Sequence, residues 1–243
     1  MSINSLSCIQ SFVNKKKGDS LPPGVVLITS LNAPGPFNPF FNMTPTSTTK
    51  SSNNITIGCT CVVSNQTAPY TFLNGTYIMQ TSCLTNQINN GGTLYYAFQG
   101  EGSSDQMQSP SGTYNTSGVY TGSVSTTVSG SPVTGEWMQI QLPYKLLVTT
   151  YSIVTGAAGG GPSYNAMFPK NFTLAGSNNG TTWTVIDSRT GYSATSANGI
   201  NRFTAPTQTV YYTYFRLIGN AIGASSFQRM GVALGMQGQY SSV

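Results

Sequence analysis

Gly135-Glu136-Trp137-Met138-Gln139-Ile140-Gln141-Leu142-Pro143 is the stretch whose pattern decides the fold. From Met138 the residues alternate strictly. Met138, Ile140 and Leu142 point one way, and Gln139 and Gln141 point the other. A period of two with one apolar face is the mark of a half-buried antiparallel strand. Gly135 opens the run and Pro143 closes it, so the strand is predicted over Trp137 to Leu142.

Outward from this strand the same texture repeats. β-rich runs span Ile55 to Val63, Leu94 to Phe98, Val119 to Val128, Leu147 to Thr155, Asn171 to Ala175, Thr182 to Asp187, Val210 to Ile218 and Gly231 to Met236. Turn signals lie between them, among them Gly130-Ser131-Pro132 and Asn178-Asn179-Gly180. No long stretch holds a 3.6-residue period, and no internal repeat is visible. The fold class is therefore all-β, an antiparallel sandwich or jelly roll. In Tyr212 to Ile218, alternation puts Phe215 and Leu217 on one face with Thr213. Arg216 falls on the other face with Tyr212, Tyr214 and Ile218, where a guanidinium needs acceptors or aromatic stacking if buried.

The first 58 residues read differently from the rest. Pro22, Pro23, Pro34, Pro36, Pro39 and Pro45 punctuate them, and Thr44 to Asn54 is a linker-like Ser/Thr/Asn tract. An extended arm over residues 1–58 is expected, with Val25 to Ile28 as one short strand and Phe37, Phe40 and Phe41 as apolar contacts for a partner. The sandwich domain is then residues 59–243.

Composition limits the chemistry. Only 6% of the 243 residues are charged, histidine is absent, and the acids are Asp19, Glu101, Asp105, Glu136 and Asp187. Little is left from which to build a catalytic triad, an acid/base pair or a metal cage, so neither enzyme activity nor a cofactor is expected. The net charge of +5 is spread thinly. Lys15-Lys16-Lys17 is the one cationic run, too little for a nucleic-acid groove, so no nucleic-acid partner is expected. Met1 to Val13 lacks the charged start and apolar run of a secretory leader, and no segment approaches the ~18 apolar residues of a membrane span. Cys8, Cys59, Cys61 and Cys83 are expected as reduced thiols; a bridge from Cys83 to Cys59 or Cys61 is the alternative. Gly156 to Gly161 lacks the Lys-Ser/Thr of a phosphate loop and runs into Pro162.

Six pieces taken in order resemble the discoidin or coagulation-factor C-type domain. They are Tyr96 to Gly100, Gly135 to Pro143, Tyr151-Ser152-Ile153, Phe168-Pro169-Lys170-Asn171-Phe172, Ala175 to Trp183 and Tyr214-Phe215-Arg216-Leu217, across residues 60 to 240. The resemblance implies a galactose-binding-like β-sandwich. It also implies a packing role for Trp137 and Trp183. That family's cation site uses two acidic positions which here are Gln99 and Ala233, so calcium is not expected; nor is its closing disulfide, since no cysteine follows Cys83. The GEW-QIQLP and GSN-G-TW wording, in a charge-poor chain, is similar to discoidin-like proteins of large double-stranded DNA viruses.

That likeness implies a virion structural protein, a minor capsid or cement protein made in the host cytoplasm. Its partners would be other capsid proteins or copies of itself. The alternative is a carbohydrate-binding or cell-adhesion module. For either, the candidate contact residues are Tyr164 in the loop Gly159 to Phe168, and Arg189, Tyr192 and Arg202 in the segment Ser188 to Phe203.

Overall fold

The computed structural model describes residues 26–27, 44–50, 57–63, 75–83, 97–98, 106–155, 165–194, 199–223 and 227–241. Among them are thirteen strands: β1 Val26–Leu27, β2 Thr44–Lys50, β3 Ile57–Val63, β4 Gly75–Thr81, β5 Met107–Gln108, β6 Ser125–Val128, β7 Ser131–Thr134, β8 Glu136–Val154, β9 Pro169–Ser177, β10 Thr184–Arg189, β11 Ile200–Thr204, β12 Tyr212–Ile222 and β13 Gly231–Ser241. Every strand pairing between them is antiparallel, and the main path runs β10-β9-β12-β8-β4-β3-β2. The all-β expectation holds.

β8 organises the molecule. Its first part pairs with β12 on one flank and β4 on the other; Met138, for example, lies opposite both Leu217 and Thr81. Its last part pairs with β11 and β13, and Tyr151 lies opposite both Phe203 and Met236. The sequence reading ended one strand at Pro143 and began another at Leu147. The structure instead runs through as a single 19-residue strand. Proline is tolerated there because it falls in a register break: β12 pairs with Gln141 and next with Leu146, β4 stops at Gln141 and β13 begins at Lys145, so no ladder pair falls on residue 143.

This handover folds β8 across the sandwich. Met138, Ile140, Phe172, Leu174, Phe215 and Leu217 from one layer share a core with Tyr151, Ile153, Phe203, Val232, Leu234 and Met236 from the other. All are 6% exposed or less, and each such side chain contributes about 1.5–3 kcal/mol by leaving water. The Tyr151 ring bridges the layers, 4.9 Å from Phe203 and 6.4 Å from Phe172.

The outer face of the β9-β12-β8 layer carries a second, smaller core of Val128, Ala175, Trp183 and Ile218, roofed by the β6–β7 hairpin. The hairpin turns on two residues, Ser129 and Gly130, with φ of 49° and 81°. Both left-handed angles identify the type I′ turn that matches strand twist. Arg216 lies in this layer between two indoles, 3.9 Å from the Trp137 ring and 4.3 Å from Trp183. Its Nε and Nη2 donate to Gln139 Oε1 at 3.1 and 2.6 Å, and its Nη1 to Thr126 Oγ1 at 2.7 Å. Acceptors and stacking are thus both present, and Trp137 and Trp183 are packing residues. Tyr212 is a correction. A bulge between Tyr212 and Tyr214 resets the alternation, so Tyr212 joins Phe215 in the main core and leaves the Arg216 face.

Other expectations shift locally. Thr44 to Lys50, read as part of a linker, is the strand β2, and its ladder with β3 crosses the expected boundary at residue 58. β2 ends the pairing path, and its register shifts between Pro45 and Ser47, the edge placement in which proline is admitted. β1, expected within Val25 to Ile28, pairs with Gln239 and Tyr240 of β13. Ala97–Phe98, expected in a strand, form a tight helical turn instead. Val119 makes only an isolated bridge to Ala221. β4, β5, β7 and β11 have no counterpart among the predicted runs. Cys83 is a free, buried thiol.

Candidate functional site

One end of the sandwich gathers the start of β9, the segment after β10 and the end of β12. Between them opens a cleft of about 320 Å³ lined by Asn165, Phe168, Lys170, Tyr192, Ser193, Ala194 and Gly223. Backbone hydrogen bonds fix these pieces together: Tyr192 N–H donates to Lys170 O at 2.9 Å, Gly223 N–H to Phe168 O at 3.2 Å and Phe168 N–H to Asn165 O at 3.1 Å. Gly191 N–H donates to Asn171 Oδ1 at 2.8 Å, tying the loop after β10 to the first turn of β9.

Tyr192 is the feature of this cleft that sequence reasoning found. Its half-buried ring lies 5.4 Å from Phe168 and 5.0 Å from Phe203, a contact that fixes the ring's plane. Its hydroxyl donates to Asn201 Oδ1 at 3.1 Å. The ring is therefore a rigid wall with its polar end already satisfied. Lys170 stands beside it, exposed, and its ammonium has no hydrogen bond or ion pair with any of the described residues. Asn165 and Ser193 add an amide and a hydroxyl to the rim.

The other expected contact residues fall elsewhere. Arg189, the last residue of β10, is committed to the protein. Its Nη2 and Nε donate to Asp187 Oδ2 at 2.8 and 3.0 Å, and Nη2 reaches Thr204 O at 3.2 Å. Its guanidinium also lies 5.6 Å from the Phe203 ring, so it supports the aromatic cluster behind Tyr192 without lining the cleft. The hydrogen bonds to Asp187 hold the Arg189 pKa above its ordinary value. The same carboxylate accepts from Tyr151 at 2.7 Å, and burial, reinforced by that bond, pushes the Tyr151 phenol up. Arg202 is exposed on β11 opposite Ser152, and strand alternation turns it away from Phe203 and the cleft. Tyr164, Phe37, Phe40 and Phe41 lie outside the described residues, as do Gln99, Glu101, Asp105 and the Gly156–Gly161 run.

Lys170, Asn165 and Phe168 were missed as site residues. Phe168 and Lys170 stood inside a motif read for its fold, and the signal available was Lys170, the one charged position in β9.

The acids among the described residues are turned inward. Glu136 and Asp187, each 5% exposed, are the acids among the described residues. Glu136 accepts from Ser82 Oγ and from Tyr120 Oη at 3.0 Å, and no cation among the described residues pairs with it. Cys83 lies beside it; burial first, then this carboxylate, push the thiol well up. Ala233, at the position expected to lack a cation ligand, is buried in β13, and no group of three metal-ligating side chains occurs among the described residues. No helix among the described residues is long and apolar enough to cross a membrane.

No protein-family model and no curated protein sequence matches the chain. Solved structures similar to it include the family 32 carbohydrate-binding module of Streptococcus pneumoniae EndoD, at 18% identity over 42% of this chain and 69% of that one, with a TM-score of 0.35. A family 32 module from a Clostridium perfringens family 31 glycoside hydrolase is 11% identical over 61% of this chain and 82% of its own, with a TM-score of 0.34. Another C. perfringens module, solved with GalNAc-β-1,3-galactose, is 10% identical over 43% of this chain and 66% of its own, with a TM-score of 0.33. What this chain is similar to is thus a set of carbohydrate-binding modules.

Proposed function

We propose that the protein is a non-catalytic recognition module that holds one end of a glycan in the cleft at Tyr192. The observation that carries this reading is the Tyr192 ring, held by a tilted contact with Phe168 and an edge contact with Phe203 in an open cleft whose rim is polar. A sugar ring has an apolar C–H face and a girdle of hydroxyls. A fixed aromatic wall takes the first, and the amide of Asn165, the hydroxyl of Ser193 and the ammonium of Lys170 take the second. The cleft's size, near the lower end of the roughly 300–1,000 Å³ of small-ligand sites, suits a terminal residue better than a long chain. Hydrolysis of a glycosidic bond ordinarily takes two carboxyl groups, and the described lining residues offer none.

Glycan-array binding followed by titration tests it. Tyr192→Leu keeps an apolar wedge against Phe168 and Phe203 while removing the flat face, and is expected to weaken binding by about tenfold or more with the melting temperature little changed. Asn165→Ala should weaken it less. A wild-type protein that binds no glycan, or a Tyr192→Leu protein that binds like wild type, overturns the proposal.

A further inference from the structure

We infer that the sugar unit this cleft prefers is anionic, carrying a carboxylate or a sulfate; the inference rests on the glycan-binding reading above. Three observations lead there. Among the described residues the cleft has one charged lining residue, Lys170, whose ammonium is exposed and pairs with none of them. Its main chain accepts a hydrogen bond from Tyr192, which sets this strand residue beside the aromatic wall. No acid among the described residues opposes it. The described residues hold seven cations against two acids, which is the whole chain's +5, and both acids are buried with their oxygens engaged by Ser82 and Tyr120 or by Arg189 and Tyr151.

The chemistry of the donor set gives the direction. Neutral sugar hydroxyls both donate and accept, and a carboxylate is the strongest side-chain acceptor a protein can offer them. This cleft withholds that acceptor and supplies a full positive charge that can only donate. A donor of that kind gains most from an anion, because a hydrogen bond between two charged groups is about twice as strong as a neutral one. The open, wet setting limits the gain, so the preference is expected to be about 3- to 10-fold.

The test compares matched trios, each a neutral hexose, its uronate and its 6-sulfate, by calorimetry or ligand-observed NMR on the full chain. The readout is the ratio of acidic to neutral affinity, with the uronate and sulfate arms separating the two sources of charge. Wild type is expected to prefer at least one acidic member about 3- to 10-fold, and the ratio should shrink as salt rises. Lys170→Met should bring the ratio to about one, and Lys170→Arg should restore most of it. Equal binding of neutral and acidic sugars by wild type overturns the anionic assignment, and a preference that survives in Lys170→Met overturns Lys170 as its source; either leaves glycan binding standing. A protein that binds no member of any trio, nor any glycan on the array, takes down the parent reading and this one with it.

Discussion

At Arg216 the molecule places a full charge away from water without giving it a carboxylate. The guanidinium is stacked on both faces by indoles and donates three hydrogen bonds to neutral oxygens. Burial pushes its pKa down to about 10, which leaves it protonated at neutral pH. The two sides of this arrangement are unequal. Replacing the cation with a flexible apolar side chain removes its desolvation cost along with its bonds, whereas removing an acceptor strands the charge. Gln139→Leu is therefore expected to cost about 2–3 kcal/mol, and Arg216→Met about 1 kcal/mol, by denaturant unfolding. The reverse order would mean that the paired cation–π contacts outweigh desolvation here.

Among the elements, the β6–β7 hairpin is the least integrated. It forms its own two-stranded sheet and is held by the small outer core and by Ser129, whose N–H donates to Trp183 O at 2.8 Å and whose Oγ accepts from Val185 N–H at 3.2 Å. Gly130 has open space where a Cβ would go, so any cost of substitution there comes from its φ alone. Gly130→Val should cost about 1–2 kcal/mol and speed amide exchange in β6 and β7 while leaving the β8–β12 ladder protected. Equal exchange throughout would show that the hairpin unfolds with the core. Much at this scale is legible in sequence. The Met138-to-Leu142 alternation fixes the central strand, and the Asn178-Asn179-Gly180 turn is real, with Asn179 Oδ1 accepting from Thr181 and Thr182 N–H groups. What fails does so for physical reasons. A bulge breaks the parity of Tyr212, and Pro143 is harmless where strand partners change over. β2 looks like a linker because an edge strand can be polar and can keep a proline. The cleft hides for another reason: Lys170, Tyr192 and Gly223 are neighbours only through strand pairing, and no local spacing joins them.

Over the whole molecule, scarce charge and buried phenols give stability an asymmetric response to pH. With no histidine, no side chain ordinarily titrates between pH 6 and 8, so the melting temperature is expected to be level there. Alkali is different. Burial raises the pKa of Cys83 and of Tyr77, Tyr114, Tyr120 and Tyr151, so each keeps its proton in the folded state at a pH where the unfolded chain releases it. The folded state then binds more protons than the unfolded one, and stability falls as pH rises. The loss begins near pH 9, the ordinary value for Cys83, and steepens above pH 10 as the tyrosines join, each group adding up to about 1.4 kcal/mol per pH unit. Arg216 works the other way above pH 10, one group against five. Thermal melts across pH 6–11 should therefore show a plateau and then a steep fall, and Tyr120→Phe, which removes one of the five and leaves the ring against Tyr114, should make the fall shallower. A melting temperature that holds through pH 10.5 would show that these phenols ionise without unfolding the sandwich.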